Sequence, residues 1–248
     1  MDRIFFQTDK GVRIPAVDEA EMREVDRIAV EQYRLGILQM MENAGRNVAL
    51  HAMQWLDDPT ARITILVGPG GNGGGGLCCA RHLHNHGHPV ELFLSREPAA
   101  LHGATKTQMT ILESAGLLPG ALEHSEDGLS SSELIIDALI GYSLGGAPTG
   151  QIEKLINLAN AASIPILSLD LPSGVNASTG ETPGAHIHAA RTLTLALPKA
   201  GLRNVAGSIY LVDIGIPPEL FLSLGVEVPT LPSGVSIQRL HPAGSPPI

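Results

Sequence analysis

Apolar residues in this chain recur at two periods, and the alternation between them predicts most of its elements. Asp18-Glu19-Ala20-Glu21 has the spacing of a capping box, and behind it Met22, Val25, Ile28 and Ala29 keep a helical period to about Arg34, where Gly36 fits a stop. A second helix is predicted from Leu38, Met41, Ala44, Val48, Ala52 and Trp55, each about a turn apart. Ile63–Val67 then reads as a strand, followed by a glycine-rich segment and a helix beginning near Leu77 and running to His86. Pro89–Leu94 reads as strand, 105–115 as helix, 119–132 as polar and irregular, and Leu134–Ile140 as strand. Ile152–Ala162 is amphipathic helix, and Ile164–Leu169, Arg191–Leu197 and Ser208–Ile214 are strands. From Pro217 the pattern fades, and a loose tail is expected over about 236–248.

Strands alternating with helices imply a mostly parallel sheet covered on both faces, an α/β three-layer sandwich with two additional N-terminal helices. No repeat or composition shift marks a second domain, so 1–248 is expected to be one domain with its core over about 18–218. Such sheets bind ligands outside the carboxyl ends of their strands, near the point where strand order reverses. Three polar or glycine-rich segments occupy those ends: Gly68–Gly76, Asp137–Ala147 and Asp170–Gly174.

Composition narrows the classes. Apolar residues are 44% of the 248, aromatics only 3%, with 28 Gly and 18 Pro, a balance suited to tight strand–helix turns. The net charge of −9 with no basic run argues against nucleic-acid or anionic-membrane partners. No apolar stretch approaches the roughly 18–20 residues that span a bilayer, and the start lacks the form of a signal peptide, so the cytoplasm is the expected location. Cys78 and Cys79 are adjacent on a predicted buried helix and imply neither a disulfide nor a zinc framework. His82, His84, His86 and His88 are spaced by two, which on a helix turns neighbours to different faces, so a solvated face is expected rather than a shared metal.

The glycine segment carries the sharpest chemistry. Strand, glycines, helix brings bare backbone N–H groups to a phosphate, and each glycine in a helix start costs about 1 kcal/mol relative to Ala. Close approach to a ligand or tight helix–strand packing would justify them. Gly68-x-Gly70-x-x-Gly73 is formally a dinucleotide fingerprint, but the next strand ends Leu94-Ser95-Arg96 instead of in the acid that holds a ribose, which disfavours an ordinary NAD dehydrogenase. Gly141-Tyr142-Ser143-Leu144-Gly145 matches a nucleophile elbow, with Asp170 and His186 or His188 following in hydrolase order. Pro148 and Gly150 would break the helix such an elbow needs. Asp137 and Asp170, acids in or at the end of buried strands beside the glycines, favour a site.

At these residues the chain resembles the NAD(P)H-hydrate epimerases, the YjeF N-terminal domain. The likeness runs from the helix at Glu19–Arg34 through Met41-Glu42-Asn43-Ala44-Gly45 to about Pro218. It is most specific at Gly68–Gly76, Asp137-Ala138-Leu139-Ile140-Gly141, Asp170-Leu171-Pro172-Ser173-Gly174 and Pro198-Lys199-Ala200-Gly201-Leu202. Members interconvert the R and S hydrates of NADH and NADPH, and an ATP- or ADP-dependent dehydratase then restores the S form. The resemblance implies a Rossmann-like sheet, a homodimer and a bound potassium ion, K+. Carried over by position, the ion would be held by Asn72, Asp137 and Ser173. The substrate, NADHX or NADPHX, would lie along Gly71, Asn72, Gly73, Gly74 and Gly75, and along Gly141, Tyr142, Ser143, Leu144, Gly145, Gly146 and Ala147. Asp170 would stand at the reacting ring as acid and base. The family's loop reads G-P-G-N-N-G-G-D-G; here Gly71 replaces its first Asn and Gly75 its Asp. A catalytically silent binder of a nucleotide or protein is the first rival reading, and a serine hydrolase using Ser143 the second. The dehydratase would be a separate enzyme.

Overall fold

The computed structural model describes residues 3–122, 125–230 and 236–244. Nine strands form one sheet, β1 (Phe5–Thr8), β2 (Arg13–Pro15), β3 (Ile63–Val67), β4 (Val90–Leu94), β5 (Leu134–Ala138), β6 (Ile166–Leu169), β7 (Arg191–Leu195), β8 (Ser208–Val212) and β9 (Ile237–Pro242), in the order β2-β1-β9-β8-β7-β6-β5-β3-β4. From β4 to β8 every pairing is parallel; β9, β1 and β2 join antiparallel. The helices are α1 (Glu19–Glu31), α2 (Ile37–Leu56), α3 (Gly71–Asn85), α4 (Gly103–Ser114), α5 (Ser125–Ser130), α6 (Gly150–Ala161) and α7 (Pro218–Ser223). The sheet is thus α/β and mostly parallel, with helices on both sides.

The alternation within each strand sorts the two faces. Ile63, Ile65 and Val67 of β3, with Leu134 and Ile136 of β5, pack in the cluster that holds α1, α2, α3 and α4. Leu66 and Ile135 point the other way, onto Leu155, Ile156 and Ala159 of α6. The capping box forms as its spacing predicts: Asp18 Oδ1 accepts from Glu21 N at 2.8 Å, and Glu21 Oε2 from Asp18 N at 3.0 Å.

Five expectations need correction. Strands β1 and β2 precede α1, so the two helices are not the first elements of the chain; Gly11, with φ +78°, closes this hairpin with its N–H on Thr8 O at 2.8 Å. Residues 125–130 of the stretch expected to be irregular are helical, and Pro218–Ser223 is a helix where no pattern was evident. The expected tail over 236–248 is a strand over Ile237–Pro242, because β8 and β1 each leave an open edge that it pairs; residues 245–248 lie outside the described residues. Finally, α3 begins at Gly71, not near Leu77, so the glycines are the helix's first turns instead of a loop before it.

Reading only the parallel strands in chain order, the sheet runs second, first, third, fourth, fifth, sixth, and order reverses between β3 and β5. The chain crosses tightly there: Gly68 N donates to Ala138 O at 3.0 Å, and a β-carbon on Gly68 would stand 1.8 Å from Leu139 O.

Candidate active site

A cavity of about 1000 Å³ opens at this switch point. Its floor is the carboxyl edge of the sheet, and its walls are α1, the start of α2, the start of α3 and residues 139–149 after β5. Gly71, Asn72 and Gly75 line it, as do all of Gly141, Tyr142, Ser143, Leu144, Gly145, Gly146, Ala147 and Asp170. Three backbone N–H groups, those of Gly71, Asn72 and Gly73, occupy the first turn of α3, whose first intrahelical bond is Gly74 N to Gly70 O at 3.1 Å.

Gly73 and Gly74 do not line the cavity. A β-carbon at Gly73 would lie 1.9 Å from Gly68 O, and one at Gly74 2.6 Å from Met41 Cε. Gly76 faces Ala138 at 2.5 Å in the same sense. The glycine run therefore serves two ends: 73, 74 and 76 allow α3 to seat on its neighbours, while 71 faces the open cavity; 75 lines the cavity too, but a β-carbon there would stand 2.9 Å from Leu169 Cδ2. Gly45 of α2 completes the seat, since a β-carbon there would meet Cys78 Cβ at 2.6 Å and Gly75 O at 2.7 Å.

Asp170 follows β6 directly, is 3% exposed, and holds φ +70°, a left-handed conformation in which Asp and Asn are tolerated. Its Oδ1 accepts from Lys199 Nζ and from Leu195 N at 3.2 Å. Its Oδ2 turns to the cavity: a β-carbon on Gly141 would stand 3.3 Å from it and 3.2 Å from Asn72 Oδ1. Only a glycine at 141 leaves that space between the two side chains. Lys199 is 1% exposed, and its backbone is tied to Val17, which donates to Pro198 O and accepts from Ala200 N, both at 2.9 Å.

Beneath the cavity lies a second acid. Asp137 is fully buried and accepts from Ser168 Oγ at 2.8 Å, Ser173 Oγ at 2.5 Å, Ser173 N at 2.9 Å and Leu139 N at 3.2 Å. Burial pushes its carboxyl above the ordinary carboxylate range, and the Ser173 and Ser168 bonds oppose that shift. Ser173 Oγ in turn accepts from Ile140 N at 2.8 Å, which ties this network to the cavity wall. The four residues of the expected site are thus brought together, Asp137 and Ser173 in direct contact, Asn72 and Asp170 on either side of Gly141.

Lys199 and Asp26 were assigned no role from the sequence. Asp26 lies one helical turn from both Met22 and Val30 on α1, and all three line the cavity. That spacing is the signal that could have found it. Its Oδ2 accepts from Tyr142 Oη at 2.6 Å; burial raises the Asp26 carboxyl, and burial and then Asp26 raise the Tyr142 phenol. Lys199 could have been suspected from being the charged residue in an apolar run directly after β7.

The hydrolase arrangement is not built. No helix starts at Ser143, α6 begins only at Gly150, and neither His186 nor His188 lines the cavity. The histidines are not one solvated face: His84 and His86 are exposed, but His88 is buried with Nδ1 3.2 Å from Ala61 O. His82 Nε2 lies 2.8 Å from Glu42 Oε1, within a cluster that Cys78 joins at 3.3 Å and Arg81 closes on Glu42 Oε2. Among the described residues no helix is long and apolar enough to cross a membrane.

Residues 37–201 match the family model described as YjeF-related protein N-terminus. A relative from Dehalogenimonas lykanthroporepellens named NAD(P)H-hydrate epimerase is 43% identical over 90% of this chain and 91% of its own. One of the same name from Rhodopirellula baltica is 32% identical over 87% and 90%. A bifunctional NAD(P)H-hydrate repair enzyme of Moorella thermoacetica is 37% identical over 82% of this chain but only 41% of its own length. The crystal structure of the yeast protein ynu0 superposes with a TM-score of 0.77 at 23% identity, over 90% of this chain and 99% of that one, and shares the fold.

Proposed function

The chain belongs to the family of YjeF-related N-terminal domains, and from that premise we propose that it is an isomerase that interconverts the R and S hydrates of NADH and NADPH. Relatives named NAD(P)H-hydrate epimerase match nearly their whole length to it, which supports this reading. The observation that carries the chemistry is the divided carboxylate of Asp170. One oxygen is held by Lys199 and Leu195, and the other faces the cavity beside Gly141.

In the hydrate, one ring carbon bears both a hydroxyl and the ring nitrogen. Asp170 Oδ2 takes up a proton from solvent and passes it to that hydroxyl, the carbon–oxygen bond breaks, and the nitrogen lone pair forms a cationic C=N bond. Water leaves. When water adds again to either face, Asp170 takes its proton back and the C=N pair returns to nitrogen, so atoms and charge balance. The carboxylate left after the first step lies against the cationic ring and lowers the cost of forming it. Lys199 is a positioning residue here: it locks the carboxylate's orientation and leaves Oδ2 as the reacting oxygen.

The pyrophosphate would rest on the first-turn N–H groups of α3, where Gly71 and Asn72 line the cavity. The donors implied for potassium are chemically suited to it. Asn72 Oδ1, the Asp137 carboxylate and Ser173 Oγ are hard oxygens, and the glycine at 141 leaves a cradle beside Asn72 Oδ1 that a β-carbon would fill; Asn72 Nδ2, buried without a hydrogen-bond partner among the described residues, is a donor suited to a pyrophosphate oxygen. These three residues would hold the ion, which would supply charge to balance Asp137 and the pyrophosphate. A homodimer, tested by sedimentation, and functional coupling to an ATP- or ADP-dependent dehydratase acting on the S hydrate complete the proposal. The deciding experiment starts from unequal R and S hydrates and follows their approach to equilibrium with and without the protein. Acceleration is expected, and a silent binder would leave the uncatalysed rate unchanged.

A further inference from the structure

In a doubly wound sheet the strand after the glycine segment ends where the adenosine ribose of a dinucleotide is read. An acid there bonds the free 2′-hydroxyl, while an arginine there accommodates a 2′-phosphate. That strand is β4, and its end places Ser95 and Arg96 in the cavity wall. Arg96 is exposed and makes no hydrogen bond or ion pair among the described residues. The cavity's other cations are engaged, Arg27 by Glu24 and Glu31 and Lys199 by Asp170.

Ser95 supplies an independent observation. It is 7% exposed, its backbone N donates to Val67 O at 2.9 Å, and its buried hydroxyl has no partner among the described residues. A buried hydroxyl left unpaired is destabilising, so one that lines a cavity is readily explained by a ligand that pairs it. The acid that β4 does contain cannot read a ribose. Glu91 is turned to the far face, where a β-carbon on Gly128 would stand 2.6 Å from its Oε2. Between β4 and Asp170 at the end of β6 lie three strand spacings, about 14 Å. The reacting ring at Asp170, the pyrophosphate at the start of α3 and the adenosine ribose at β4 then follow one another along the sheet edge.

We infer that Arg96 and Ser95 are receptors for a 2′-phosphate, and that the cavity takes hydrated NADPH in preference to hydrated NADH. The inference rests on the epimerase reading, and its test separates the two. Epimerisation of NADPHX and NADHX is measured with the unaltered protein, Arg96→Ala and Arg96→Glu. A charge-assisted pair predicts that kcat/KM favours NADPHX by about tenfold or more, carried in KM. Arg96→Ala should abolish that preference and Arg96→Glu reverse it. Added salt should weaken it, since Arg96 is exposed to screening. Equal use of both hydrates by the unaltered protein, or a preference that survives Arg96→Ala, overturns the inference and leaves the epimerase intact.

Calorimetry with ADP-ribose and its 2′-phosphorylated form reads the same contact without chemistry. Preferential binding of the phosphorylated ligand, lost in Arg96→Ala, supports the inference even if neither hydrate is epimerised, an outcome that would sink only the catalytic reading. Equal affinity, or binding of neither, overturns the inference. Ser95→Ala provides a variant without charge change: a loss of several-fold in affinity for the phosphorylated ligand alone is expected.

Discussion

Lys199 Nζ donates to Asp170 Oδ1 where both side chains are almost wholly enclosed, at 1% and 4% exposure. Breaking such a pair from one side strands the other charge, at a cost of about 3–5 kcal/mol. Lys199→Met should therefore unfold at a much lower urea midpoint than the unaltered protein. The double variant Asp170→Asn with Lys199→Met should recover part of that loss. If the double variant is no more stable than Lys199→Met alone, the two charges do not depend on each other as described.

Asp170→Asn alone separates catalysis from structure. Asn tolerates the left-handed backbone at φ +70° and can still accept from Lys199 and Leu195, so the fold should survive, though at a lower urea midpoint because the buried Lys199 ammonium loses its counter-charge. Loss of the exchangeable proton should reduce epimerisation by about 10²–10⁴-fold with a near-native circular dichroism spectrum. An active Asn variant would remove Asp170 from the chemistry.

Gly71 of α3 and Gly45 of α2 predict opposite effects. At Gly71 an added β-carbon would meet nothing nearer than Met41 Cε at 4.0 Å, and its φ is not positive. Gly71→Asn, which restores the residue usual in the family, should raise stability by about 0.4–1 kcal/mol through a less disordered unfolded chain. Gly45→Ala would drive its β-carbon to 2.7 Å from Cys79 N and from Gly75 O, both backbone, and should destabilise by several kcal/mol. Thermal melts of the two variants check the contrast. Equal melting temperatures would mean that the α2–α3 seat is looser than its distances indicate.

What the residues disclosed in advance follows from the range of the forces involved. The strands from Ile63 to Val212 announce themselves because a parallel strand covered on both faces is largely apolar, and Asp18 and Glu21 because a cap is a local exchange of hydrogen bonds. Asn72, Asp137, Asp170 and Ser173 could be placed at one edge because parallel strands share their carboxyl ends. The strand over Ile237–Pro242 was not legible: half of its residues are polar or charged, and it exists because β1, more than 200 residues earlier, needs a partner. The helical start of α3 was hidden for a related reason. A run of glycines has poor intrinsic helix propensity, and only contact with Met41, Gly68 and Ala138 shows why larger residues are absent.

A potassium ion held by Asn72, Asp137 and Ser173 predicts a stability effect independent of turnover. An ion that binds only the folded state stabilises by RT ln(1 + [L]/Kd). Potassium chloride should raise the melting temperature above that in choline chloride at equal ionic strength, and Asp137→Asn should erase the difference. Identical melting temperatures in the two salts would remove the ion from the proposal.

His51 provides the pH dependence with a clear sign. Burial, reinforced by Arg191 with its NH1 3.2 Å from Nε2, pulls the imidazole down from 6.5 to about 4, and Tyr210 packs on it at 4.6 Å. Between those values the unfolded chain binds a proton that the folded protein refuses, so stability must fall as the pH is lowered from 6.5 towards 4. One group contributes a slope of at most about 1.4 kcal/mol per pH unit. The raised carboxyls of Asp26 and Asp137 act oppositely: the folded state keeps their protons longer, so their contribution falls as pH rises through and above the ordinary carboxylate range. His51→Gln retains an acceptor for Arg191 but cannot titrate. Urea midpoints measured across this range should therefore show a flatter decline for the Gln variant, and an unchanged decline would mean that His51 is as readily protonated folded as unfolded.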